Sequence, residues 1–104
     1  MANIADNKFY LSIEDRSLDI NSIEKQIEKV FDELLEGEIT YSNDNFIEGW
    51  FESKWDFPKE IWDEILKDKP IYFRCLTEEY GMGLVSMNIH NEDGTWKEPQ
   101  YFDL

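Results

Sequence analysis

Cysteine and histidine occur once each in this chain, as Cys75 and His90, and there are only three prolines and five glycines. A lone cysteine cannot form an intrachain disulfide, and one cysteine with one histidine gives no zinc spacing. No segment matches the calcium loop D-x-[DN]-x-[DN]-G. Gly81-Met82-Gly83 lacks the third glycine and the following helix of a phosphate loop, and reads as a tight turn. No metal or cofactor is therefore expected. Bases are also scarce, with 10 Lys+Arg against 24 Asp+Glu and a formal net charge of -14. That balance excludes direct nucleic-acid binding through phosphate neutralisation. It also argues against docking on an anionic membrane. No apolar stretch approaches the roughly 18 residues that cross a bilayer. The opening MANIADNKFY has neither a basic n-region nor an apolar h-region, so a cytoplasmic protein is expected.

What the chain does have is core material. It is 41% hydrophobic and 15% aromatic, which argues against disorder despite the charge. At 104 residues, one domain spanning 1–104 is expected.

From Lys8 to Glu14 the sequence alternates, with Phe9, Leu11 and Ile13 on one face of a half-buried strand. Asn21 with Glu24 three residues on forms a capping-box pattern. Ile23, Ile27, Val30, Phe31 and Leu34 then make a helical stripe that Gly37 is placed to end. Ile39 to Asn45 is ambiguous. Alternation returns at Phe46, with Ile47, Gly49, Phe51, Ser53 and Trp55 on one face and Phe46, Glu48, Trp50 and Glu52 on the other. A second helix is predicted to open at Asp56, with Pro58 in its first turn and Ile61, Trp62, Ile65 and Leu66 as its stripe. Pro70 stops it. Ile71 to Leu76 reads as a strand with Ile71, Phe73 and Cys75 inward. Met82 to Asn91 reads as another, with Val85 inward and His90 outward, and Asp93-Gly94 as a turn. The tail from Trp96 to Leu104 carries three aromatics and is expected to pack. The expected fold is α+β, ferredoxin-like or a variant, with two helices on one face of a mainly antiparallel four-stranded sheet.

Between Phe51 and Leu84 several short motifs recur in order: Phe51-Glu52-Ser53-Lys54-Trp55, then Pro58, Trp62, and Glu78-Glu79-Tyr80-Gly81-Met82-Gly83. In these the sequence resembles the YubB ferredoxin-like domain family of phages, plasmids and other mobile elements. Tyr80 stands where that family often has proline. The resemblance implies a ferredoxin-like fold and a mobile-element origin, and it carries over no catalytic residues. With Cys75 inward and His90 outward, no Cys–His nucleophile pair is expected either, and the chain reads as a non-enzyme.

The acids are unevenly placed. No base lies between Lys29 and Lys54, where Asp32, Glu33, Glu36, Glu38, Asp44, Glu48 and Glu52 fall. Glu24, Glu28, Asp32 and Glu36 form an i+4 row, each like-charged pair costing about 0.2–0.5 kcal/mol in a helix. Carboxylates about 6 Å apart along such a row approach the spacing of backbone phosphates. The expected function is thus an acidic inhibitor that mimics phosphate backbone and blocks a basic nucleic-acid-binding host protein, such as a defence nuclease or CRISPR effector. Its expected contact residues are Glu28, Asp32, Glu33, Glu36, Glu38, Asp44, Glu48 and Glu52, with Trp50 as an apolar anchor. An immunity protein against a nuclease toxin presents the same surface. The plainer reading is that excess acid gives solubility. A third possibility is a small enzyme, ligand-binding or accessory domain using the open sheet face, where Tyr10, Trp50, Tyr72, Arg74 and Leu84 are expected. Base stacking there is opposed by Glu48 and Glu52 beside Trp50. The same face suits a protein interface or dimer seam, so the chain is expected as a monomer or homodimer.

Overall fold

Alternation in the first strand sets the sheet, and everything else packs against or beside it. The computed structural model describes residues 3–103, so Met1, Ala2 and Leu104 lie outside the described residues. In order the elements are β1 (Ile4–Ser12), α1 (Ile20–Glu33), β2 (Gly37–Ser42), β3 (Phe46–Lys54), α2 (Lys59–Leu66), β4 (Tyr72–Glu79), β5 (Leu84–His90) and β6 (Gln100–Asp103). The fold is α+β, but the open antiparallel sheet has six strands rather than four, ordered β2-β3-β1-β4-β5-β6. The two additions are β2, in the segment that was ambiguous in sequence, and β6, formed by the tail.

Both helices pack on one face. Phe9 sits at the centre of the core, its ring 5.0 Å from Trp62, 6.0 Å from Phe31 and Phe51, and 6.2 Å from Phe73. Burying each such side chain stabilises the fold by about 1.5–3 kcal/mol. Gly49 is required beneath that ring, because a Cβ there would meet both the Phe9 ring and the Glu38 carbonyl oxygen.

The first helix departs from expectation at both ends. Asp19, not Asn21, caps it, accepting a 3.0 Å hydrogen bond from the Asn21 backbone N–H. It ends at Glu33, where the Leu34 and Leu35 N–H groups both donate to the Val30 carbonyl. The extra bond to Leu35 unwinds the last turn, so Leu34 swings into solvent and Leu35 packs instead. Gly37 begins β2 rather than ending the helix. A Cβ there would lie 2.7 Å from that of Phe51 and 2.9 Å from the Phe31 ring. Glu36 is consequently off the helix, and the i+4 row shortens to Glu24, Glu28 and Asp32.

The second helix starts at Lys59 with Pro58 as its cap, three residues later than expected. Asp56 instead ties the preceding loop to the sheet, accepting from the Phe57 N–H (2.7 Å) and the Ser86 hydroxyl (3.2 Å). Trp55 lies just past β3 with φ of 71° and is exposed, so it does not continue the inward face of that strand.

Strand β5 presents the face opposite to the expected one to the helices. Ser86, Asn88 and His90 face the helices and are buried, while Val85, Met87 and Ile89 face the other way. The β4–β5 register decides this: inward Phe73 and Cys75 pair with His90 and Asn88. His90 is held by a 2.7 Å hydrogen bond from Nδ1 to the Ile71 carbonyl and by the Trp96 ring 5.1 Å away. Of the aromatics in the tail, which is expected to pack, only Trp96 does so, donating to Asp63 Oδ1 at 2.8 Å on the helix side. Tyr101 and Phe102 instead pair in β6 with their side chains exposed.

Candidate functional site

Strand register reveals what the two helices leave uncovered, because directly paired residues share a face. One row runs Glu38, Trp50, Lys8, Leu76 and Met87 across β2, β3, β1, β4 and β5. The next holds Tyr41, Glu48, Tyr10, Arg74 and Ile89. A third holds Glu52, Asp6, Glu78, Val85 and Phe102. Nothing among the described residues covers this face, since β6 extends the sheet edge and Trp96 packs behind it.

The middle of the face is aromatic and apolar. Tyr10 lies 5.5 Å from Phe46 and 6.3 Å from Tyr72, and Phe46 lies 5.3 Å from Tyr41. The Arg74 guanidinium sits 4.4 Å above Tyr10 and 5.9 Å from Tyr72, which occupies it internally. The border is acidic. Like charges directly opposite each other destabilise a sheet, yet Glu52, Asp6 and Glu78 stand side by side on three adjacent strands. Their field is felt nearby. The Tyr80 hydroxyl donates to Glu78 Oε2 at 2.6 Å, and that bond, with the charges of Glu78 and Asp6, raises the phenol above its ordinary pKa. Asp6, Lys8, Trp50, Glu78 and Tyr80 line a shallow depression of about 320 Å³. Among the described residues no three His, Cys, Asp or Glu side chains are grouped to hold a metal ion. No described helix is long and apolar enough to cross a membrane.

Comparison with family models, curated proteins and solved structures finds no match. The chemistry of the surfaces themselves must carry a functional reading.

The nine expected contact residues fall in four settings on α1, β2, β3 and their connections. Glu38, Glu48, Trp50 and Glu52 lie together on the uncovered face, with Trp50 half-buried between the acids. Asp44 lies at the tip of the β2–β3 hairpin, where Asn43 Oδ1 accepts from the N–H groups of Asn45 and Phe46. Glu28, Asp32 and Glu33 are exposed on α1, on the opposite side of the sheet, and Glu36 bridges the two sides in the connection. One member of the expected open face is placed otherwise, Leu84, which lies on the helix side of β5. Tyr72 and Arg74 are on the open face, but they do not converge with His90, which is buried on the helix side.

Sequence reasoning missed Asp6, Glu78 and Tyr80 as neighbours of Trp50. A signal existed, because Asp6 and Lys8 alternate with Ala5 and Asn7, which starts β1 at Ile4. Cys75 and His90 do share a face but occupy separate contacts. Cys75 lies 3.7 Å from Asn7 Oδ1 and 3.8 Å from Thr77 Oγ1, and burial pushes its thiol well above the ordinary range. That is an inert structural thiol rather than a nucleophile.

Proposed function

We propose that the protein is a non-enzymatic acidic inhibitor of phage or mobile-element origin. It binds a basic nucleic-acid-handling protein of the bacterial cytoplasm, of the defence-nuclease or CRISPR-effector type, and fills its groove as a phosphate-backbone mimic. The observation that supports this most is where the base-free run goes. Residues 30–53 build the end of α1, the edge strand β2, the hairpin and β3, so acids flank one sheet edge on both faces. An edge lined with carboxylates on both sides suits insertion into a cationic groove, and its field steers the encounter. Trp50 among Glu38, Glu48 and Glu52 supplies an apolar anchor with an acidic surround.

The first six elements form a ferredoxin-like variant in this reading. The path β1-α1-β2-β3-α2-β4, with strand order β2-β3-β1-β4 and antiparallel neighbours, has the split-βαβ arrangement, to which β5 and β6 add a further hairpin-like edge. That is in keeping with the YubB-like segment between Phe51 and Leu84. An immunity protein would use the same edge, and the identity of the captured partner separates the two.

Capture from host lysate followed by salt titration tests the proposal. The complex is expected to contain a basic nucleic-acid-binding protein and to exclude its nucleic acid. Affinity should fall by orders of magnitude between about 50 and 200 mM salt, as for charge-driven groove binding. Asp32→Lys, Glu36→Lys and Glu48→Lys together should abolish it. A complex indifferent to both salt and charge reversal sinks the mechanism.

A further inference from the structure

At one end of the acidic edge lies a groove of about 600 Å³. It exists because β2 begins at Gly37 opposite Phe51, so β3 runs on to Lys54 with no strand beside it on that side. Apolar side chains line it. Phe57 is buried and Leu35 and Ile61 are half-buried, whereas Leu34, Trp55 and Ile4 stand 64%, 53% and 51% exposed. Pockets of about 300–1,000 Å³ hold compact ligands, but this one is an open trough suited to part of a larger partner. Glu36, Glu52 and Asp56 line the same groove, and Lys54 is the one base that the described residues place there.

Trp55 gives the groove its direction. Its φ of 71° is in the left-handed region, where glycine or asparagine is at ease and a bulky side chain is not. The fold thus holds an exposed indole where a smaller residue would relax the backbone. The surrounding structure enforces this conformation, with the Trp55 N–H donating to the Asn3 carbonyl at 2.8 Å, and backbone strain of this kind clusters at binding sites. We infer that the groove seats a bulky apolar side chain of a partner segment in which lysines or arginines flank that side chain. The apolar group enters between Leu34 and Trp55, and its cationic neighbours meet Glu36, Glu52 and Asp56. This rests on the reading of a basic partner and adds what that partner must carry between its charges. The chain's own charge of -14 disfavours a second copy as the occupant.

The test uses the ¹⁵N-labelled full chain and three amidated peptides at low salt. The first has Leu-Phe-Leu between two Lys-Arg-Lys arms, the second Gly-Ser-Gly between the same arms, and the third Leu-Phe-Leu between Glu arms. The first is expected to bind about tenfold tighter than the second or more, with shifts centred on Leu34, Leu35, Ile61 and the Trp55 indole. Trp55→Gly should keep or raise the melting temperature and erase that difference, and Leu34→Ser should reduce it in a second, independently folded variant. Equal binding of the two basic peptides, or a difference that survives both substitutions, overturns the groove and leaves the acidic edge standing. Failure of both basic peptides to bind overturns the groove and the edge together. Tight binding of the Glu-armed peptide overturns the requirement for a basic segment.

Discussion

Asn7 connects the polar groups that lie inside the sheet. Its amide donates to the Ser53 hydroxyl at 2.9 Å and the Phe51 carbonyl at 3.2 Å, and its oxygen accepts from Thr77 Oγ1 at 2.6 Å. Ser53 in turn donates to the Asp56 carbonyl at 2.8 Å, so the network fixes the loop that shapes the groove. Asn7→Ala strands the Thr77 hydroxyl, whose other contact is Cys75 Sγ at 3.8 Å, whereas the Phe51 carbonyl keeps its place in the β1–β3 ladder. A loss of about 1–3 kcal/mol for that stranded group is expected in urea unfolding. Thr77→Val should cost less, since Asn7 keeps its other bonds. An Asn7→Ala effect no larger than that of Thr77→Val would show that the network does not hold the loop. Phe9, Leu11 and Ile13 were legible as core because hydrophobic alternation marks them. Asn7 was not, because a polar residue reads as inward only when its partners are known, and these lie 44 to 70 residues away.

At the level of elements, β5 shows where local pattern fails. Val85, Met87 and Ile89 alternate with Ser86, Asn88 and His90, and hydrophobicity alone turns the first set inward. A one-residue change of register flips every side chain, and β4 imposes the register here. Glu79, only 3% exposed, accepts from the Gly81 and Met82 N–H groups at 2.8 and 2.7 Å and fixes the turn between the strands. The helices were legible in their stripes but not in their ends, which tertiary contacts at Gly37 and Asp56 determine. The acidic edge was half legible: the base-free run is a fact of sequence, whereas its wrapping around β2 required the fold. The last turn of α1 holds Asp32 and Glu33 and no base. Acids there oppose the helix macrodipole, and Asp32 lies one turn from Glu28. Asp32→Lys with Glu33→Lys is expected to stabilise the fold by about 1 kcal/mol, from about 0.3–1 kcal/mol per corrected charge. The same pair should weaken capture of the basic partner. Destabilisation in thermal melts would instead assign these carboxylates to the fold.

For the whole molecule the same charge acts on folding and on binding with opposite sign. A net charge of -14 on 104 residues, with seven acids in one base-free run around one edge, makes the folded state repel itself. The Debye length is about 30 Å at 0.01 M salt and about 3 Å at 1 M, so added salt screens this repulsion across the edge. Melting temperature should therefore rise with sodium chloride, while affinity for the cationic partner falls over the same range. Solubility alone as the role of the acids predicts the first trend and not the second. The charge-reversal triple Asp32→Lys, Glu36→Lys and Glu48→Lys changes the net charge from -14 to -8. It should raise the low-salt melting temperature, flatten its salt dependence and remove binding together. Melts at about 0.01, 0.1 and 1 M salt on both proteins give the comparison. If the triple lowers the low-salt melting temperature, the carboxylates are structural and their crowding around β2 is not held in reserve for a partner.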